Sequence, residues 1–325
     1  MRQHDYTRTH ERKTLFGLLD YRIGRFRKQG KEKTAENYAT ALRNFRLFRK
    51  GKDILLRDLS AHVMMDFQAY LLDKGLRRNT VSLYMRQLRA AYNYALDAGI
   101  ITVDRTPFRN EFTGVEKTRK RALKANVVRK LIRYDPDEDK NLEFARDMFL
   151  FSIFMQGMSF VDIAHLTQEQ IRDGKLTYRR KKTGKSLTIV IPPCAQAIID
   201  TYRVKHPDCP YLFPILFDPE KGKERKFASA LRTYNNRLRR ISEALKLDTP
   251  LSSYVARHTW ASLARWNGVK ETVICEAMGH SDIHTTAIYL DSLETDTIAA
   301  ANRKVINSLL KPSKRKIRKE PFSTS

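Results

Sequence analysis

Apolar positions in this chain fall at helical spacing over most of its length, with one short interval of strand-like alternation. Residues 33–98 predict three helices. The first begins at Thr34-Ala35-Glu36-Asn37, lines Tyr38, Leu42, Phe45 and Phe48 along one face, and stops at Gly51. A second spans 61–72, with Ser60 placed to cap its amino end and Gly75 to close it. The third opens at Asn79-Thr80, runs to residue 98 and is closed by Gly99. Ahead of them, Leu15-Phe16-Gly17-Leu18-Leu19 reads as a helical lead-in or as an arm that folds on a partner.

Further along, helices are predicted at 125–133 and 142–156, where Gly157 breaks the pattern. The period then changes to two. Residues 176–180 and 186–191 read as strands joined by a turn at Thr183-Gly184, and Pro192-Pro193 ends the hairpin. Helices return at 195–204 and 227–244, and three short ones are predicted between Ser252 and Tyr289, parted by Asn267-Gly268 and Gly279. The fold class is therefore mainly α, with an α+β second part that carries a small antiparallel hairpin. The expected divisions are a basic amino-terminal arm (1–30), a helical bundle (31–104), a basic linker (105–121), a second domain (122–310) and a basic tail (311–325).

Charge changes the picture. The 325 residues include 62 Lys+Arg against 36 Asp+Glu, a net charge of +26. So large an excess calls for a polyanionic partner, and double-stranded DNA fits it better than a membrane surface. No stretch approaches the roughly 18 to 20 uninterrupted apolar residues of a membrane span. The amino end also lacks the apolar core of a signal peptide. Three scattered cysteines, Cys194, Cys209 and Cys275, suit a reducing cytoplasm and suggest neither a disulfide framework nor a zinc site. Candidate DNA contacts are Arg77, Arg78, Arg86 and Arg89 on the third helix, Lys117, Arg119, Lys120 and Arg121 in the linker, and Arg180, Lys181 and Lys185 at the hairpin.

Candidate chemistry gathers at the joints of residues 252–289. Arg257 and His258 open one helix, His280 follows Gly279, and Tyr289 comes nine residues after His280. Arginine pairs bidentately with phosphate oxygens, histidine moves protons near neutral pH, and tyrosine can be a covalent nucleophile. Together they suggest chemistry on a phosphodiester. By periodicity alone the same stretch also reads as a helix-turn-helix without chemistry, with Tyr289 packed in a core.

The runs Ala256-Arg257-His258-Thr259-Trp260-Ala261, Met278-Gly279-His280-Ser281 and Thr285-Thr286-Ala287-Ile288-Tyr289 resemble the closing motifs of the tyrosine recombinases, or phage-type integrases. The resemblance covers residues 30–305. It implies a core-binding bundle followed by a catalytic domain, working without metal or cofactor. It assigns Tyr289 as nucleophile and Arg257 as a phosphate-binding arginine. His280 would hold a nonbridging oxygen or help deprotonate the tyrosine, and Lys182, in Lys-Thr-Gly, would be the general acid to the leaving 5′ oxygen. It also implies a homotetramer on synapsed DNA from a monomer in solution, accessory DNA-bending or directionality proteins, and an exchanged helix at 297–310.

Two positions depart from the family's pattern. Its His-x-x-Arg becomes Tyr254-x-x-Arg257, and a tyrosine is a poor base at neutral pH. His258, next along, is a further candidate. Its first arginine would stand at Ser159, within Gly157-Met158-Ser159-Phe160-Val161-Asp162, a wording found in integrases of Bacteroidetes mobile elements. Asp162 fits the family's acidic support residue. A replacement cation is expected from elsewhere, with Arg146 first and Arg119 and Arg121 second. A type IB topoisomerase-like enzyme and a non-catalytic DNA-binding regulator with a degenerate site are the alternative readings.

Overall fold

The structure, a computed structural model, describes residues 13–110, 113, 114, 116, 122–206, 208–280 and 286. The chain divides into two compact units, one ending at Thr118 and the next beginning at Arg119.

The first unit is a helical bundle of α1 (Leu15–Lys28), α2 (Glu32–Phe48), α3 (Ala61–Asp73) and α4 (Arg78–Asp97). Thr14 caps α1 by accepting from the Gly17 amide, and Ser60 caps α3 by accepting from that of Val63. The face predicted on α2 is inside: Tyr38, Leu42 and Phe45 are buried, and Phe48 packs against the same core. Phe45 meets Phe67 edge-on at 4.8 Å. Two expectations differ from what is found. Leu15, Phe16, Leu18, Leu19 and Ile23 of α1 are core residues of this bundle, so 15–28 is a helix of the bundle rather than a separate arm. The stretch after residue 104 is also held down. Phe108 is buried in the core, and Asn79 bonds both the amide and the carbonyl of Glu116. The described part of the expected linker therefore follows the bundle.

In the second unit α5 (Ala125–Arg133) precedes α6 (Lys140–Phe154), the central helix, which packs against α5, α8 (Pro193–Tyr202), α9 (Phe227–Ala244) and α10 (Val255–Trp266). Being covered on most sides, α6 is apolar nearly all round in its carboxy-terminal half, with Met148, Phe149, Leu150, Phe151 and Ile153 buried. Asp139 caps it by accepting from the Asn141 and Leu142 amides. The helix stops two residues earlier than its pattern predicts, because Gln156 and Gly157 both take left-handed backbone, φ 58° and 69°. Then come the short α7 (Phe160–Ala164) and a three-stranded antiparallel sheet of β1 (Ile171–Arg172), β2 (Lys175–Arg179) and β3 (Ser186–Val190) in the order β1-β2-β3. Leu176 lies opposite Ile189 and Tyr178 opposite Leu187. A second ribbon, β4 (Phe217–Asp218) with β5 (Lys223–Glu224), and β1 itself escape prediction, since two residues show no period. α11 (Glu271–Ala277) follows α10. Of the third predicted short helix only Thr286 is described. Among the described residues no helix is long and apolar enough to cross a membrane.

Candidate active site

The site forms where the break after α6, the tip of the β2–β3 hairpin, the start of α10 and the turn after α11 come together. Asp162, on α7 and 3% exposed, joins the first two. Its Oδ2 accepts from Ser159 Oγ at 2.6 Å, and its Oδ1 accepts from the Lys181 amide at 2.8 Å. Arg180 Nε lies 3.8 Å from the same Oδ2. The hairpin is closed by Arg180 N–H donating to Lys185 O and Gly184 N–H donating to Arg180 O.

Arg257 enters from the first turn of α10 and is 2% exposed. Its Nη1 donates to Gly157 O at 2.8 Å, and its Nη2 donates to Met278 O. Arg180 Nη1 donates to the next carbonyl, Gly279 O, at 2.8 Å. Two buried guanidinium groups thus converge on neighbouring carbonyls of one turn, with the buried Asp162 carboxylate beside Arg180. Buried cations so placed suit an anion. Gly157 is needed for the approach: a Cβ there would meet the Arg257 backbone at 3.2 Å, from a left-handed φ.

His280 completes the cluster. Its Nε2 is 3.0 Å from Arg257 Nη2 and its Nδ1 is 2.9 Å from Thr286 Oγ1. Burial, followed by the positive field of Arg257, Arg180, Lys182 and Lys185, holds its pKa down to about 4. Tyr178 lies behind the site, its phenol pushed up to about 12 by burial and by Asp162.

Several predicted residues are thus gathered: Arg257, His280, Ser159 and Asp162, with Lys182 and Lys185 exposed on the hairpin close enough to act on His280. Lys181 is also exposed. Tyr254, 51% exposed at the amino end of α10, stands edge-on to the half-buried His258 ring at 5.0 Å. Arg77, Arg86 and Arg89 are exposed on or next to α4, while Arg78 pairs with Glu116 at 2.7 Å.

Two assignments need correction. Arg180 is not a surface DNA contact; at 5% exposure it belongs to the site itself. Arg146 is not its spare cation. That side chain donates to Tyr134 O at 2.6 Å and to Asp147 at 2.7 Å, with Glu143 at 3.6 Å, so its guanidinium is spent joining α6 to the end of α5. Tyr289, Lys117, Arg119, Lys120 and Arg121, and the expected exchanged helix at 297–310, lie outside the described residues. Sequence reasoning missed Thr286 and the inward turn of Arg180. The second was open to a period-two argument, because Leu176, Tyr178 and Arg180 alternate onto one face and all three are buried.

Comparison with known proteins agrees in both units. The Phage integrase SAM-like domain matches residues 14–113 and the Phage integrase family matches residues 121–295. Tyrosine recombinase XerD of Pseudomonas putida is 22% identical over 265 residues, covering 79% of this chain and 86% of the relative. The Tn1549 transposon integrase in complex with transposon right end DNA superposes with a TM-score of 0.69 at 14% identity, over 90% of this chain and 99% of that one. A lambda integrase tetramer bound to a Holliday junction gives 0.65 at 17% identity, over 87% and 79%. With the catalytic-domain match alone spanning more than half of its length, the chain belongs to the phage integrase family, the tyrosine recombinases.

Proposed function

We propose that this protein is a site-specific DNA recombinase of a mobile element, cutting and rejoining DNA through a 3′-phosphotyrosyl intermediate on Tyr289 and a Holliday junction. The observation that carries the reading is the pair of buried arginines, Arg257 and Arg180, aimed at one turn, with the Asp162 carboxylate beside Arg180. Such preorganised donors match the charge of a phosphodiester under attack. Tyr289 gives up its phenolic proton to solvent as its oxygen bonds to phosphorus, the bond to the 5′ oxygen breaks, and Lys182 on the exposed hairpin tip supplies a proton to the leaving oxygen. Tyr254 offers the phosphate a neutral hydrogen bond. The bond energy stays in the phosphotyrosine, so religation to a partner strand needs no nucleotide.

Exchange between two duplexes takes four protomers, as in the lambda integrase tetramer on its junction. Gly157-Met158-Ser159-Phe160-Val161-Asp162 supports an element of Bacteroidetes as the source and, with it, a bacterial cytoplasmic, nucleoid-associated location. DNA nicked beside the cleavage site tests the reading, because the cut end diffuses away and a covalent complex accumulates on a denaturing gel. A regulator that only binds gives no such band. A topoisomerase gives the band but also relaxes supercoiled plasmid lacking any target site.

Affinity should depend steeply on salt. If Lys and Arg neutralise about eight phosphates, log K falls against log salt with a slope near ~−7. A flat response in a filter-binding titration would remove DNA as the reason for the net charge of +26.

A further inference from the structure

We propose that Thr286 is a positioning residue that holds the ring of His280 and, through it, the seat of Arg257; this rests on the recombinase reading above. A guanidinium has donors only. The 3.0 Å contact between Arg257 Nη2 and His280 Nε2 therefore requires Nε2 to be an acceptor without a proton. The single proton of the neutral ring then sits on Nδ1 and is donated to Thr286 Oγ1 at 2.9 Å. Thr286 is 0% exposed and His280 7%, so water is a poor substitute for either partner.

Burial, then the cations Arg257, Arg180, Lys182 and Lys185, keep the ring neutral near pH 7, its pKa held down to about 4. Arg257 Nη2 also donates to Met278 O, and the ring nitrogen with that carbonyl fixes the plane of the guanidinium. Without the threonine acceptor the buried Nδ1–H loses that bond, and the hold of the ring on Arg257 Nη2 weakens. In this tautomer Nε2 has no proton to offer a nonbridging oxygen, and its lone pair is taken by Arg257. Thr286 stands three positions ahead of Tyr289 in the chain.

The first test is nitrogen NMR of histidine-labelled, DNA-free protein near pH 7, with the His280 signals assigned by their loss in His280→Gln. The proposal predicts a protonated Nδ1 and a bare Nε2; a protonated Nε2 overturns it. The second is single-turnover cleavage of nicked DNA at saturating protein. Thr286→Val should slow cleavage about tenfold, the loss of roughly one hydrogen bond, with DNA affinity unchanged, and Thr286→Ser should recover most of the rate. Wild-type cleavage in Thr286→Val, or a serine variant as slow as the valine one, overturns the proposal. Should Thr286→Val fail to fold, the wild-type spectrum decides. A wild-type protein that forms no adduct sinks the recombinase reading instead, and the tautomer is still judged on DNA-free protein.

Discussion

Replacing Tyr289 with phenylalanine will abolish the covalent protein–DNA complex and leave DNA binding intact. The substitution removes one hydroxyl and no charge, so the phosphate contacts that dominate affinity are untouched. On the proposed reading, what is lost is the atom that bonds to phosphorus. Adduct formation should fall below detection while the mobility-shift affinity stays within about twofold of wild type, a difference of less than half a kcal/mol. Persistence of an adduct in Tyr289→Phe would move the nucleophile elsewhere, with the exposed Tyr254 first in line.

The second large effect belongs to Arg180. Attack on a phosphodiester raises the negative charge on its nonbridging oxygens, and two guanidinium groups share it better than one. Ser159, where the family's pattern has its first arginine, gives only a neutral hydroxyl, already donated to Asp162. Arg180 approaches the same Asp162 oxygen from the hairpin. Arg180→Ala should therefore reduce single-turnover cleavage by about 10²- to 10³-fold, the cost of deleting one preorganised donor, and Arg257→Ala should do at least as much. Ser159→Ala should change the rate little. Arg146→Ala is the control: it removes the bonds to Tyr134 and Asp147 and lowers melting temperature, yet cleaves as wild type once folded. Ser159→Arg added to Arg180→Ala should recover part of the rate. Should Arg180→Ala cleave normally while remaining folded, the second guanidinium comes from another residue.

Much of this arrangement was legible in the order of residues. Helices longer than about two turns declared themselves by period, and α5 and α9 begin and end at the residues that pattern predicts. The motifs around Arg257 and His280 named two side chains that are in fact bonded to each other. The hairpin was visible as a change of period, yet its last inward residue, Arg180, was read by charge as a surface contact. Charge is a good guide to exposure until a buried carboxylate and a bound anion can share the cost. Arg146 failed for a different reason. The eight residues from Arg146 to the helix end at Phe154 rise about 12 Å, and the left-handed pair Gln156-Gly157 comes too late in the chain to bring Arg146 back. Local partners, Asp147 and the Tyr134 carbonyl, were nearer than any phosphate. Thr286 was silent because nothing in a sequence marks which hydroxyl will meet a histidine nitrogen across a turn.

The account stands most directly on the identity of the linked residue. Protein trapped on a nicked suicide substrate, digested and mapped by mass spectrometry, should yield one nucleotide-bearing peptide, with the 3′ phosphate on Tyr289. A modified peptide centred on any other residue, or no covalent peptide from protein that binds the DNA, would contradict it.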